Sequence, residues 1–163
     1  MIVSFTNAFN IVDGLDGLAA GLFLISVGAF LAISSTQLDQ GLGIFIALLM
    51  GSVIAFLYFN VFPARIWLGD VGSLALGATI AIIGLLTGKI FALAVIGSIF
   101  IAEASSSLIQ LLSKKILGRK IFPASPLHLY LQYRGWEEPK IVMRAWIVGF
   151  FFAVLGLFFA FIT

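Results

Sequence analysis

The sequence predicts an all-α protein: a polytopic membrane helix bundle with about five transmembrane helices. Three observations carry that expectation. Of 163 residues, 62% are hydrophobic and only 10% are charged, whereas a soluble domain is roughly a quarter charged. The apolar residues fall in continuous runs close to the 20 or so residues that cross a bilayer as a helix, and they do not alternate as barrel strands do. The basic residues also gather between particular runs and avoid others.

Five runs appear in order, at residues 18–35, 41–62, 72–87, 90–112 and 141–162. Backbone groups in lipid must bond within their own segment, so each run is expected to be a helix. The third run is short and nearly merges with the fourth. The N-terminal MIVSFTNAFN lacks a basic start and a small-residue cleavage site, so it does not read as a signal peptide. It reads as the tail of a span that begins upstream, and the chain as a fragment forming one transmembrane domain over 1–163. There are no cysteines, which excludes disulfides and thiolate metal sites. No internal repeat or low-complexity tract interrupts the pattern.

Charge orients the bundle. Five spans define two sides. One side receives Arg65 together with Lys114, Lys115, Arg119, Lys120, Arg134, Lys140 and Arg144; the other receives Lys89 alone. The side rich in Lys and Arg is the cytoplasmic one. The same parity puts the opening stretch, the 60–70 segment and the 113–140 loop on that face. Three polar segments distant in sequence thus meet at one membrane surface.

The acidic residues in these segments each admit a bland and a sharp reading. In Asp13-Gly14-Leu15-Asp16, an aspartate with an acid three residues later suits a helix N-terminus as a cap. Asn7 and Asn10 extend the same spacing, so Asn7, Asn10, Asp13 and Asp16 could instead line one helix face. Polar stripes on membrane helices face protein or water. Asp70, in LGDVGS, is either a cap or a ligand for a hard cation beside a phosphate. Glu103 lies mid-span, where a carboxylate must be paired or neutral. With Ser105, Ser106, Ser107 and Gln110 close by in sequence, it reads as part of an interhelical polar network, too deep for chemistry at the surface. His128, the only histidine, lies in a basic loop with Tyr130, Tyr133 and Trp136. That composition equally fits a topology signal or a contact with anionic lipid.

Taken together, NAFNIVDGLDGLAAG, FNVFPARIWLGDVGSLALGA, EASSSLIQ and PLHLYLQYRGWEEPKIVMRAW resemble the C-terminal half of the phospho-N-acetylmuramoyl-pentapeptide transferase family. That family belongs to the polyprenyl-phosphate N-acetylhexosamine-1-phosphate transferases. The resemblance covers nearly the whole chain. It implies half of a ten-helix fold with a cytoplasmic active site in the bacterial plasma membrane, with 113–140 as a catalytic loop. It implies transfer of phospho-MurNAc-pentapeptide from its UDP carrier to undecaprenyl phosphate, giving lipid I and UMP in peptidoglycan synthesis, with Mg²⁺ as cofactor.

Residue by residue, the resemblance makes Asp70 the magnesium ligand, with Asn10 near the metal or diphosphate. It assigns Asn7, Asn10, Asp13, Asp16 and Asn60 to the substrate pocket, and His128, Asp70 and Asp13 to catalysis. The implied partners are UDP-MurNAc-pentapeptide, undecaprenyl phosphate and membrane lipids. A homodimer is expected by analogy, and no nucleic acid. Two departures stand out. Leu129 and Tyr130 replace the second and third residues of a three-histidine motif. The family's other half, with an Asp-Asp pair and a pocket lysine, is not in this sequence. The alternatives are a sister transferase using UDP-GlcNAc, a non-catalytic membrane remnant or, on Glu103 alone, a transporter.

Overall fold

The computed structural model describes residues 1–37 and 39–162. Among the described residues, eight helices follow one another: α1 (Ile2–Val12), α2 (Leu18–Thr36), α3 (Gln40–Asn60), α4 (Gly69–Leu86), α5 (Ile90–Ile96), α6 (Ser98–Leu117), α7 (Leu127–Tyr133) and α8 (Glu138–Ile162). No strand occurs among the described residues. Helices α2, α3, α4 and α8 are each long and apolar enough to cross a bilayer, and α5 with α6 makes a fifth, bent candidate. The chain is a multi-pass membrane protein.

The fourth apolar run is not one straight helix. It breaks at Gly97, and α6 turns 72° away from α5. A Gly-Ser pair, here Gly97-Ser98, is a recurrent cause of such a break. The 113–140 stretch is also less of a loop than its composition implies. Helix α6 continues through Leu117, α7 occupies Leu127–Tyr133, and α8 begins at Glu138. Gln110 and Ser113 fold the chain back between α6 and α7. Gln110 accepts from the Ile121 and Phe122 amides at 3.1 and 3.0 Å, and Ser113 donates to the Arg119 carbonyl at 2.6 Å.

Helix α2 is the centre of the bundle: 67% of its most apolar stretch is buried, against 11% in α3. The large apolar side chains left outside, such as Leu48 and Ile54 on α3 and Phe150 and Phe151 on α8, suit a lipid-facing surface, where no hydrophobic force drives helices together. Phe9 of α1 joins the layers. It is fully buried, stacks on Phe100 of α6 at 5.3 Å and meets Phe23 of α2 edge-on at 5.9 Å; such aromatic geometries add stabilisation beyond area burial.

The contact between α1 and α4 sets the position of the site. A Cβ on Gly77 would lie 2.7 Å from Phe9 Cβ and 2.8 Å from Thr6 Cα. Only glycine allows the two backbones to come this close. Asp70, Ser73 and Gly77 share one face of α4 by their spacing, so the approach at Gly77 carries Ser73 and Asp70 alongside the next turn of α1. At the opposite end of the bundle, Gln37 donates to the Thr87 carbonyl at 3.0 Å. The turns after α2 and α4 therefore meet there, away from Asp70.

Candidate functional site

Helix α1 stops at Val12, so Asn7, Asn10, Asp13 and Asp16 do not form one helical stripe. Asp13 closes the helix, its amide bonding back to the Phe9 and Asn10 carbonyls at 3.1 and 3.3 Å. This overturns the N-cap reading of Asp13: it stands at a C-terminus. Asp16 caps nothing either, because Gly17 precedes α2 without a side-chain bond. The physical reason is local. A turn with glycines at 14 and 17, Gly17 in the left-handed region, separates the two helices where a continuous helix would have carried the stripe.

The turn is held from three directions. Asp16 accepts from the Ala64 amide at 2.9 Å and from Trp67 Nε1 at 3.3 Å. Its own amide donates to Glu138 Oε1 at 2.6 Å. Asn60, only 4% exposed, accepts from the Gly17 amide at 3.1 Å and donates to the Ile66 carbonyl at 2.8 Å. Asn60 thus builds the wall behind the turn, with both polar atoms engaged by backbone.

On the other side of the turn, Asn10 Nδ2 donates to Ser73 Oγ at 2.8 Å and to Asp70 Oδ1 at 3.1 Å. Asp70 is not a side-chain cap; it stands in the first turn of α4, where the helix dipole favours a carboxylate. Asn7 lies apart. It is exposed, donates to the Val3 carbonyl at 2.7 Å and lines a groove between α1 and α6 with Ile101 and Leu108.

Burial, and then the charge of Asp70, push the Asp13 carboxyl up from 3.8 to about 6. Asp13 and the carboxylate that raises it, with the Asn10 carboxamide between helices beside them, are oxygen donors of the kind a hard divalent cation takes. Among the described residues, no three His, Cys, Asp or Glu side chains converge as a complete metal site. Asp13, Asp70 and the Asn10 carboxamide are oxygen-bearing side chains brought to this side of the turn.

His128 comes to the same turn from α7. It is 2% exposed, and its Nε2 lies against Gly14, where an added Cβ would sit 2.5 Å away. Its Nδ1 lies 3.1 Å from Glu103 Oε2, and its backbone amide donates to Glu103 Oε1 and Oε2 at 3.1 and 3.3 Å. Among the described residues the Glu103 carboxylate is not part of a serine–glutamine network: Ser106 donates to the Glu103 backbone carbonyl, and Gln110 serves the bend at Ile121 and Phe122. The signal was present, since an ionisable residue inside a span points to function. The assumption of a straight helix obscured it. Ser73 and Glu138 were likewise missed, because nothing in their local sequence marks the partners they meet.

Of the residues replacing the second and third histidines, Leu129 is exposed and Tyr130 accepts from Arg134 Nη1 at 3.2 Å. At the start of α8, Arg144 and Lys140 lie over the Trp136 ring at 4.4 and 5.2 Å. These cations hold positive charge at the same end of the bundle as the turn, and positive potential there draws anions to the membrane surface.

The chain is 43% identical to the phospho-N-acetylmuramoyl-pentapeptide-transferase of Bacillus mycoides (strain KBAB4) over 158 residues, 97% of this chain and 49% of that protein. It is 42% identical, with the same coverage, to the proteins of that name from Bacillus thuringiensis (strain Al Hakam) and Bacillus cereus (strain AH187). The chain spans about half the length of the curated relatives it matches. Residues 1–88, which contain α1, the 13–17 turn, Asn60 and Asp70, match the profile of glycosyl transferase family 4, and the chain belongs to that family.

Proposed function

We propose that this chain supplies part of the site of a phospho-N-acetylmuramoyl-pentapeptide transferase at the cytoplasmic face of the bacterial plasma membrane. The reaction moves phospho-MurNAc-pentapeptide from UDP to undecaprenyl phosphate. An oxygen of the lipid phosphate bonds to the sugar-bearing phosphorus, the diphosphate bridge breaks, and UMP leaves with the bridging oxygen. The observation that carries this reading is the meeting of Asp13, Asp70 and His128 around one turn, in a chain 43% identical over 97% of its length to a transferase of that name.

Phosphoryl transfer depends mainly on positioning and charge neutralisation. Mg²⁺, when bound, neutralises diphosphate charge in such reactions. Asp70 and Asp13 would supply carboxylate oxygens to it, and Asn10 aligns Asp70 through their hydrogen bond. Asp16 and Asn60 keep the 13–17 turn in place, and the exposed Asn7 is available to the nucleotide–sugar end. His128 presents its Nε2 edge to the turn, where it can orient a phosphate or exchange a proton with it. The basic ends of α6 and α8 gather the anionic substrates. The family resemblance implies a homodimer for the assembled protein.

The test joins this chain to the other half of a relative, co-expressing it with the N-terminal half of the Bacillus mycoides protein in membranes. Formation of lipid I from UDP-MurNAc-pentapeptide and undecaprenyl phosphate is the expected result. Turnover of UDP-GlcNAc instead would assign the chain to a sister transferase. No turnover of either, with both halves present and folded, would make it a non-catalytic remnant. In the active assembly, Asp70→Asn is expected to abolish the Mg²⁺ dependence along with most of the rate; full activity would remove Asp70 from the metal site.

A further inference from the structure

Glu103 and His128 form a buried pair, 5% and 2% exposed, that joins α6 to α7 across 25 residues. One carboxylate grips the histidine twice, at the backbone amide and at ring Nδ1. That double hold removes freedom from both the backbone and the ring. We propose that Glu103 is a positioning residue that locks His128 in the Nδ1–H tautomer, leaving Nε2 as an unprotonated acceptor against the Asp13–Gly14 turn.

The chemistry follows from donors and acceptors. The His128 amide donates to both Glu103 oxygens, so the carboxyl group is the acceptor in this pair and Nδ1 donates to it; in a neutral imidazole the other nitrogen then carries a lone pair. Nε2 has no hydrogen-bond partner among the described residues, and it lies against Gly14, where no side chain stands in its way. Histidine in water prefers the opposite tautomer, with the proton on Nε2. Glu103 therefore reverses the default and turns a donor edge into an acceptor edge. Such pairing is the usual way a protein sets which ring nitrogen reacts. The use of that lone pair, as acceptor for a phosphate hydroxyl proton, rests on the transferase reading above; the tautomer does not.

A plainer role exists for Glu103. It could merely satisfy the free amide at the start of α7, whose N-cap Pro126 offers no side-chain bond. The two roles separate in one measurement, because the chain has a single histidine and ¹⁵N labelling of histidine reports one ring. The labelled chain, in detergent or lipid nanodiscs near neutral pH, is examined by long-range ¹H–¹⁵N correlation. The expected pattern is a protonated Nδ1 and an unprotonated Nε2, with loss of that pattern in Glu103→Leu. A protonated Nε2 in the wild type, as neutral ring or as imidazolium, overturns the proposal. So does an unchanged Nδ1–H pattern in a folded Glu103→Leu chain, which would leave Glu103 as a cap alone. If Glu103→Leu does not fold, the wild-type spectrum decides. No turnover is read, so failure here is distinct from failure of the transferase assignment.

Discussion

Asn60 and Gly17 are 43 residues apart, yet the Asn60 carboxamide accepts the Gly17 amide at 3.1 Å while donating to the Ile66 carbonyl at 2.8 Å. One buried side chain thus ties the 13–17 turn to the loop that precedes Asp70. Asn60→Leu would leave both backbone groups without this partner, and an unsatisfied buried group such as the Gly17 amide costs roughly 1–3 kcal/mol. The expected outcome is a lower midpoint of thermal unfolding in detergent, followed by circular dichroism. An unchanged midpoint would show that the turn does not depend on this tie.

Gly14 is expected to resist even the smallest substitution. Alanine there would put Cβ 2.5 Å from His128 Nε2, so the imidazole or the turn must move. Misplacing a reacting group by about 1 Å can cost on the order of a hundredfold in rate. In the two-half assembly, Gly14→Ala should lower kcat by that order while the chain remains folded. Gly51→Ala serves as the control: a Cβ there meets nothing within 4 Å, and it should leave kcat unaltered.

Gly77 tests the packing that brings Asn10 to Ser73. A Cβ at this position would press on Thr6 Cα, a backbone atom that cannot rotate away. Overpacking of this kind typically costs about 1–3 kcal/mol. Gly77→Ala should therefore lower stability and also weaken Mg²⁺ dependence in the assembly, because α4 carries Asp70. A stability loss with unaltered Mg²⁺ response would uncouple the helix contact from the site.

Asp13 predicts a pH dependence whose sign follows from its environment. Burial first, then the Asp70 charge, raise its carboxyl from 3.8 to about 6. Between these values the folded chain holds more protons than the unfolded one, so stability falls as pH rises. The favourable contribution of the protonated form is complete below 3.8 and is lost as pH passes through about 6. In chelator, the wild-type unfolding midpoint should decline over that window relative to Asp13→Asn. Saturating Mg²⁺ should flatten the difference. A wild-type curve parallel to that of Asp13→Asn in chelator would mean that Asp13 is not perturbed.

Much of the helical frame was legible from apolar run length. The run at 18–35 became α2, ending one residue later, and 141–162 became all of α8 except its first turn. Charge parity anticipated that the opening stretch, the 60–70 segment and His128 would share an end of the bundle. What local reasoning mistook were the features created by interruption. Glycines ended α1 before Asp13 and broke the fourth run at Gly97, and the second break changed the partner of Glu103.

The sequence alone determined that the chain is apolar and helical, and which residue types collect at one end, because span length and charge segregation are one-dimensional properties that solvent and lipid read directly. Only the tertiary structure decided which groups touch: Asn10 with Ser73, Asp16 with Glu138, Glu103 with His128. Those pairings depend on where helices bend and how closely their backbones approach, and both are set by glycine contacts with neighbours distant in sequence.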